Sequence, residues 1–303
     1  MSAALLVPAL LLDAALGEPK LIWNRYPHPA VLMGRLVGWC DQRFNTGANK
    51  RLKGVAVMAA LAMGAVALGR FIHLLPDFGI IEILVTAVLL AQKSLVQHVA
   101  AVATGLRSSL KEGRRAVAMI VGRDTDVLDR SGVARSAIES AAENLSDGVI
   151  APAFWYLIGG LPGLMLYKIT NTADSMIGHR TPRHEEFGWA AARFDDLLNL
   201  IPARLSALLL ALSHGWTDPR PILRDAPLHR SPNAGWPEAA MAVVLDVAIA
   251  GPRSYHGKLT DYPWVWPEGR HDLNPDDIDR TVAALWRGWL AMLALTAIVA
   301  VVV

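Results

Sequence analysis

Three stretches between Arg135 and Arg204 hold carboxylates, amides and bases at spacings that could do chemistry. The first reads Arg135-Ser-Ala-Ile-Glu139-Ser-Ala-Ala-Glu143-Asn144-Leu-Ser-Asp147-Gly148. The second, just after Lys168, reads Asn171-Thr-Ala-Asp174-Ser-Met-Ile-Gly178-His179-Arg180. The third reads Arg193-Phe-Asp195-Asp196-Leu-Leu-Asn199-Leu-Ile-Pro202-Ala-Arg204. Acids this dense beside strongly apolar runs are costly unless they hold a metal, a phosphate group or one another. The pattern points to an enzyme working at a bilayer surface.

Arg135, Glu139, Glu143 and Asp147 recur at steps of four, one stripe of a helix capped by Asp129 or Ser131 and stopped at Gly148. The apolar stripe Ala134, Ile138, Ala142 and Leu145 lies about 100° away, so the acids border the buried face. Glu139 and Glu143 repel each other at this spacing unless a cation intervenes, which favours Mg²⁺ or an arginine partner over a solvated charged stripe. Asn171, Asp174, His179 and Arg180 stand in a segment of small and polar residues within the loop 169–196. That segment suits backbone approach to a phosphate, with Lys168 and Arg180 as charge partners, or is a structural loop with an Asx-turn. Asp195 and Asp196 begin the next helix, where the dipole alone favours acids. Asn199 faces the same side as Asp195, and Arg204 lies two turns beyond Asp196. Gly122-Arg123-Asp124-Thr-Asp126 reads equally as an anion nest or a turn before a helix. His28-Pro29, and His229 with Ser231-Pro-Asn233, read as fixed turns with polar tips; His28, His229 and Asn233 are kept as candidate substrate contacts.

The elements that must position these groups are apolar. The chain has 303 residues, 53% hydrophobic, with a positive mean hydropathy. Its net charge of +2 gives no reason to expect a nucleic-acid partner. The lone Cys40 excludes an internal disulfide and a thiolate metal site. Candidate membrane segments are 3–16, 54–75, 78–95, 149–168, 197–213 and 285–303. The bases Lys20, Arg25, Arg35, Arg43, Lys50, Arg51 and Lys53 precede the second segment, and the Pro76-Asp77 connection has none. Segments 54–75 and 78–95 therefore read as a hairpin with cytoplasmic flanks. Gly159-Gly160, Pro152 and Pro162 predict a broken or re-entrant element in 149–168, and the flanking charge implies that 149–168 and 197–213 dip into the membrane as re-entrant segments or pack as a core over it. The expectation is a mostly α-helical, polytopic integral membrane protein, one membrane-embedded domain over 1–303. Helical hairpins carry cytoplasmic polar loops and helices that form the active site, chiefly from 96–148 and 169–196. There is no phosphate-binding P-loop, no strand-anchored glycine fingerprint and no fixed-period repeat.

Seven ordered motifs carry a resemblance. They are Asp13-x-x-x-Gly17-Glu18-Pro19, His28-Pro29-x-x-x-x-Gly34, Gly122-Arg-Asp-Thr125, Ile138-Glu-Ser-x-x-Glu-Asn-x-Ser-Asp-Gly148, Asn171-Thr-Ala-Asp-Ser-Met-Ile-Gly178, Ala191-Ala-Arg-x-Asp-Asp196 and Ser231-Pro-Asn233. Together, from about Leu11 to Gly257, the chain resembles the CobD/CbiB family of cobalamin biosynthesis, the adenosylcobinamide-phosphate synthases. Glu18 departs from it, since the family commonly has Asp there. The resemblance implies an acid–amine ligase of the bacterial cytoplasmic membrane with its active site facing the cytoplasm. It would join adenosylcobyric acid to (R)-1-amino-2-propanol or its O-phosphate, with ATP and Mg²⁺. It also implies that Glu139, Glu143, Asp147 and Asp174 hold Mg²⁺. Arg135, Lys168, Arg180 and Arg193 would neutralise phosphates, with Asn144, Asn171 and Asn199 as further contacts. Asp195 or Asp196 would bind a second metal or deprotonate the amine, which puts Glu143, Asp174, Asp195 and Asp196 at the chemistry. Partners are then the corrinoid, the amine and the bilayer, with room for other membrane enzymes of late cobalamin assembly and for a homo-oligomer.

Rival readings make different demands. A transporter would place its ionisable groups on repeated broken helices at mid-membrane, and no repeat is present. A non-catalytic membrane regulator of the same fold would have lost the acidic motifs, which are intact. A CDP-alcohol phosphotransferase needs Asp-Gly-x-x-Ala-Arg, whereas Asp147-Gly148 is followed by Val-Ile-Ala-Pro.

Overall fold

The computed structural model describes residues 2–255 and 258–302, so Val303 and Gly257, the ends of the last apolar segment and of the motif region, lie outside the described residues. Its helices are α1 (Ser2–Leu16), α2 (Lys20–Trp23), α3 (Pro29–Phe44), α4 (Lys50–His73), α5 (Ile80–Leu89), α6 (Gln92–Ser108), α7 (Leu110–Val117) and α8 (Arg130–Leu145). They continue as α9 (Ala151–Ile177), α10 (Trp189–Ser213), α11 (Arg220–Asp225), α12 (Gly235–Leu245) and α13 (Pro275–Val302). Four strands of two or three residues, β1 (Ile249–Ala250), β2 (Arg253–Tyr255), β3 (Lys258–Thr260) and β4 (Trp264–Val265), make antiparallel pairs β1–β4 and β2–β3. Among the described residues, five helical stretches are long and apolar enough to cross a membrane: α4, Ile80–Ser108, Arg130–Ile177, α10 and α13. The protein is a mostly helical, polytopic membrane protein, as its apolar segments predict.

Several boundaries differ from the sequence reading, each for a local reason. Gly148 does not stop α8; Ser146–Ile150 forms a π-helical turn and the chain runs on into α9. The expected break in the next segment is present at Gly160, whose φ of 59° and ψ of −156° only glycine adopts readily, two residues before Pro162. Beyond it α9 continues to Ile177, so Asn171 and Asp174 are helical rather than in a loop. The polar residues are tolerated there because they find partners: the Thr170 hydroxyl donates to the Leu166 carbonyl at 2.8 Å, and Asn171 reaches Asp195. Helix α10 starts at Trp189, which puts Asp195 and Asp196 in its second turn, beyond helix-capping positions.

The chain folds into two compact units. The first comprises residues 1–91, 151–200 and 295–303. Here α4 and α3 pack on α9, and α1 packs on α5 and α9. Val37, Cys40, Met58, Leu61, Ile169, Ala173 and Phe187 form its buried core. The second comprises 92–150 and 201–294. Its centre is α8, packed by α6, α7, α12 and β1, with Val133, Ala137, Ile138, Ala141 and Leu145 fully buried. On α8 the four-residue stripe drifts about 40° per step, so its members do not share one environment. Glu139 is buried, Asp147 half-buried and Glu143 exposed.

Candidate active site

In the first unit, the C-terminal half of α9 and the N-terminal half of α10 bring together most of the second and third sequence stretches. Tyr167, Asn171 and Asp174 recur at helical spacing on α9, and Asp195, Asp196 and Asn199 do so on α10. Asp195 is 8% exposed and accepts from two amides: Asn171 Nδ2 at 3.3 Å and Asn199 Nδ2 at 3.0 Å. The Asn199 carbonyl accepts in turn from the Tyr167 hydroxyl at 3.1 Å. A chain of neutral donors thus fixes this carboxylate without neutralising it. Asp174 lies within electrostatic range of Asp195, Asp196, His179 and Arg193. Asp196 pairs with Arg193 at 3.1 Å and feels Arg180.

Crowded acids with exposed cations at their rim are side chains that could hold a cation and a phosphate. Among the described residues no three His, Cys, Asp or Glu side chains are gathered tightly enough to enclose a metal by themselves. A Mg²⁺ here would take one or two carboxylates, with water and phosphate oxygens completing its shell, which is its usual habit. Gly178 protects this geometry. A Cβ on it would fall 1.9 Å from Asp174 Oδ1, so the carboxylate occupies the space that only glycine leaves.

The connection 178–188, which carries His179 and Arg180, is clamped to α3. Asp41 accepts from Arg183 Nη2 at 2.6 Å and Nε at 3.0 Å and from Asn45 Nδ2 at 2.8 Å, with His184 Nε2 3.5 Å away. Asn45 also donates to the Arg183 carbonyl at 2.9 Å. Burial alone would raise the Asp41 carboxyl; the hydrogen bonds from Asn45 and Arg183, with the guanidinium charge, outweigh it and hold the group below its ordinary value. Beside α3, His28 caps the helix through Nδ1, which accepts from Ala30 N at 3.2 Å, and its ring meets Trp23 edge to face at 4.6 Å. Burial lowers the His28 pKa, Glu18 opposes, and Lys168 adds to the lowering, so the imidazole is neutral at pH 7. His28, Glu18 and Lys168 are therefore neighbours, a grouping that their sequence separation hid.

In the second unit the candidates are mostly engaged by their own chain. Glu139 receives Arg123 Nη2 at 2.5 Å and the Ala250 amide at 2.8 Å. Of the two expectations for Glu139, the arginine partner is present, and the second oxygen accepts from a backbone amide. The Gly122–Asp126 turn is held on α8 by that pair and by the Ser140 hydroxyl donating to the Ile120 carbonyl at 2.6 Å. Arg123 is thus paired within the fold, and Asp124 lies on the same turn. Asn144 folds back on the Ser140 carbonyl at 2.8 Å. Arg135 stacks over Trp264 at 4.6 Å, and Arg204 over Trp236 at 4.4 Å with Nη1 3.5 Å from Asn233 Oδ1. His229 Nδ1 accepts from Ser231 N at 3.0 Å, and the Ser231 hydroxyl accepts from Asn233 N at 3.2 Å.

Sequence reasoning missed Tyr167, the Asp41–Arg183 clamp and the two stacking tryptophans. It also missed Glu82, 3% exposed, which binds His73 Nδ1 at 2.8 Å and accepts from the Tyr156 hydroxyl at 2.7 Å. A lone acid inside the apolar run 78–95 was a readable signal for it.

Comparison with known proteins agrees with the motifs. The profile of the CobD/Cbib protein family matches residues 6–285. Curated relatives named cobalamin biosynthesis protein CobD include that of Brucella anthropi, 48% identical over 96% of this chain and 94% of the relative. The Sinorhizobium fredii protein is 48% identical over 97% and 95%, and the Rhodobacter capsulatus protein 45% identical over 99% and 98%. No solved structure shows a significant match. This chain belongs to the CobD/Cbib protein family.

Proposed function

We propose that this protein acts in cobalamin biosynthesis as a membrane acid–amine ligase. It would join the free propionate of adenosylcobyric acid to (R)-1-amino-2-propanol or its O-phosphate, giving adenosylcobinamide or its phosphate. The observation that carries this reading is the cluster of Asp174, Asp195 and Asp196 edged by Arg180 and Arg193. Amide formation from a carboxylate and an amine is uphill in water, so the acid needs activation. Transfer of the terminal phosphoryl group of ATP to the propionate would give an acyl phosphate. Attack by the amine nitrogen then forms the C–N bond, breaks the C–O bond, and releases phosphate and a proton.

ATP and Mg²⁺ supply the activating phosphoryl group and the charge neutralisation. The chain's own residues divide the rest. Asp174 and Asp196 offer oxygens to the cation, and Arg180, Arg193 and Lys168 balance phosphate charge. Asp195, hydrogen-bonded by Asn171 and Asn199, would take the proton that the attacking amine loses. In the second unit, Glu143 and Asp147 remain candidates for the same cation chemistry. The positive-inside bias puts this machinery on the cytoplasmic face of a bacterial inner membrane.

The test is an end-point reaction with purified protein in detergent, containing adenosylcobyric acid, ATP, Mg²⁺ and either amine, with corrinoid masses read out. An ATP-dependent mass gain of one amine less water supports the ligase and identifies its amine. Folded protein that yields no product with either amine would sink it and favour a regulatory member of the family.

A further inference from the structure

Within the first unit, α3 and α4 leave between them an apolar groove of about 730 Å³, floored by Met165 and Ile169 of α9. Leu36, Trp39 and Phe44 line one wall; Ala60, Gly64 and Leu68 line the other. Trp39 is 56% exposed, and among the described residues no atom beyond Gly64's own stretch of helix lies within 4 Å of where a Cβ on it would project. Both walls are fixed: Trp39 meets Phe44 edge to face at 5.7 Å, and α3 and α4 share the buried core with α9.

The groove has one charged end. Among the described residues that line it only Lys53 carries a charge, and its Nζ donates to a neutral partner, the Thr46 carbonyl, at 2.7 Å. Between Gln42 and Lys53 the chain holds Arg43, Lys50, Arg51 and Lys53 and no acid. The nearest acid in sequence, Asp41, is taken by Arg183. Arg43 lies over Phe44 at 6.0 Å, and Arg51 over Trp189 at 3.9 Å, so aromatic faces orient two of these cations. From Lys53 to Leu68 the helix rises about 22 Å, more than one leaflet of a hydrocarbon core about 30 Å thick.

A cationic mouth opening on a long apolar slot matches one kind of molecule. We propose that this groove is a retained site for one anionic phospholipid, its acyl chain between α3 and α4 and its phosphate at Lys53 and the neighbouring bases. A helix from a second copy, about 10 Å across, would fill the slot but leave the basic cluster unneutralised.

Native mass spectrometry of the full chain in detergent tests this with phosphatidylglycerol and phosphatidylcholine of identical acyl chains. The expected result is one saturable phosphatidylglycerol per chain, retained at least about fivefold more tightly than phosphatidylcholine. Lys53→Met, at a half-buried site that no core packing depends on, should weaken retention about fivefold. Gly64→Phe should fill the slot and abolish the adduct. Equal retention of both lipids, unchanged by Lys53→Met, would overturn the site in favour of ordinary annular lipid. An adduct surviving in folded Gly64→Phe protein would overturn it as well. So would a lipid-free dimer that Gly64→Phe dissociates, since the groove would then be an interface between copies.

Discussion

Glu139 on α8 and Asp195 on α10 are both buried acids in apolar surroundings, and their neighbours treat them differently. Glu139 is closed off by a guanidinium and a backbone amide. Asp195 receives two uncharged amides and sits beside Asp174 and Asp196, so neutral donors orient it among further acids. A carboxylate paired with a base of its own chain holds the fold together; one oriented by neutral donors beside other acids is the kind a cationic ligand engages. The pair teaches that density of acids along the sequence does not separate the two kinds. Partner chemistry does.

That contrast breaks most sharply in two substitutions. Asp174→Ala is expected to lower turnover by roughly 10³-fold, the scale of losing an electrostatic group at the reacting centre, with the melting temperature in detergent unchanged. Glu139→Ala should do the reverse. Stranding Arg123, whose side chain is 12% exposed, should cost about 3–5 kcal/mol of stability, while turnover per folded molecule stays near wild type. Arg123→Leu combined with Glu139→Leu should recover much of that stability, because replacing a buried pair by apolar groups is often neutral. If Asp174→Ala instead lowers the melting temperature and Glu139→Ala kills turnover at full stability, the two units have been assigned the wrong way round.

How much of this was legible beforehand follows the same physics. Apolar runs announce membrane helices because the bilayer sets their length, and the glycine–proline break near Gly160 announced itself because glycine and proline punctuate any helix. The helical state of Asn171 and Asp174 was not legible. Small and polar residues lower helix propensity, and only the tertiary partners across on α10 show why the helix continues. Asp195 and Asp196 looked like first-turn acids because the helix start at Trp189 carries no strong N-cap residue. For Arg123 and Glu139, sixteen residues apart, the expectation of an arginine partner was sound, but which arginine is a property of the folded turn.

Gly178→Ala sharpens the comparison at a finer scale. The added methyl would meet Asp174 Oδ1 at 1.9 Å, so the carboxylate must swing away while charge and fold are retained. Displacements of about 1 Å in a reacting group cost on the order of 10²-fold. We expect a loss of that size in kcat, largely restored by no increase in Mg²⁺. A variant with full activity would mean that the position of Asp174, as distinct from its charge, does not matter.

The smallest effect concerns Asp41, the first unit's counterpart of Glu139, since its charge too is neutralised by its own chain. Its carboxyl is held below the ordinary value by Asn45 and Arg183 against the opposing effect of burial. A group depressed in the folded state stabilises above its unfolded pKa and loses that contribution as pH falls through the folded value. Wild-type protein should therefore lose melting temperature progressively below about pH 4, where the unfolded carboxyl begins to take up its proton. Asp41→Asn should start lower at pH 7 and show a shallower decline over that acid range. At pH 7 kcat/KM should fall only severalfold, through a looser 178–188 connection and a higher KM for the phosphate-bearing substrate, with kcat nearly preserved. If the acid limb is the same in both proteins, the clamp is not what holds that connection, and the neutralised acids of the molecule do not form one class.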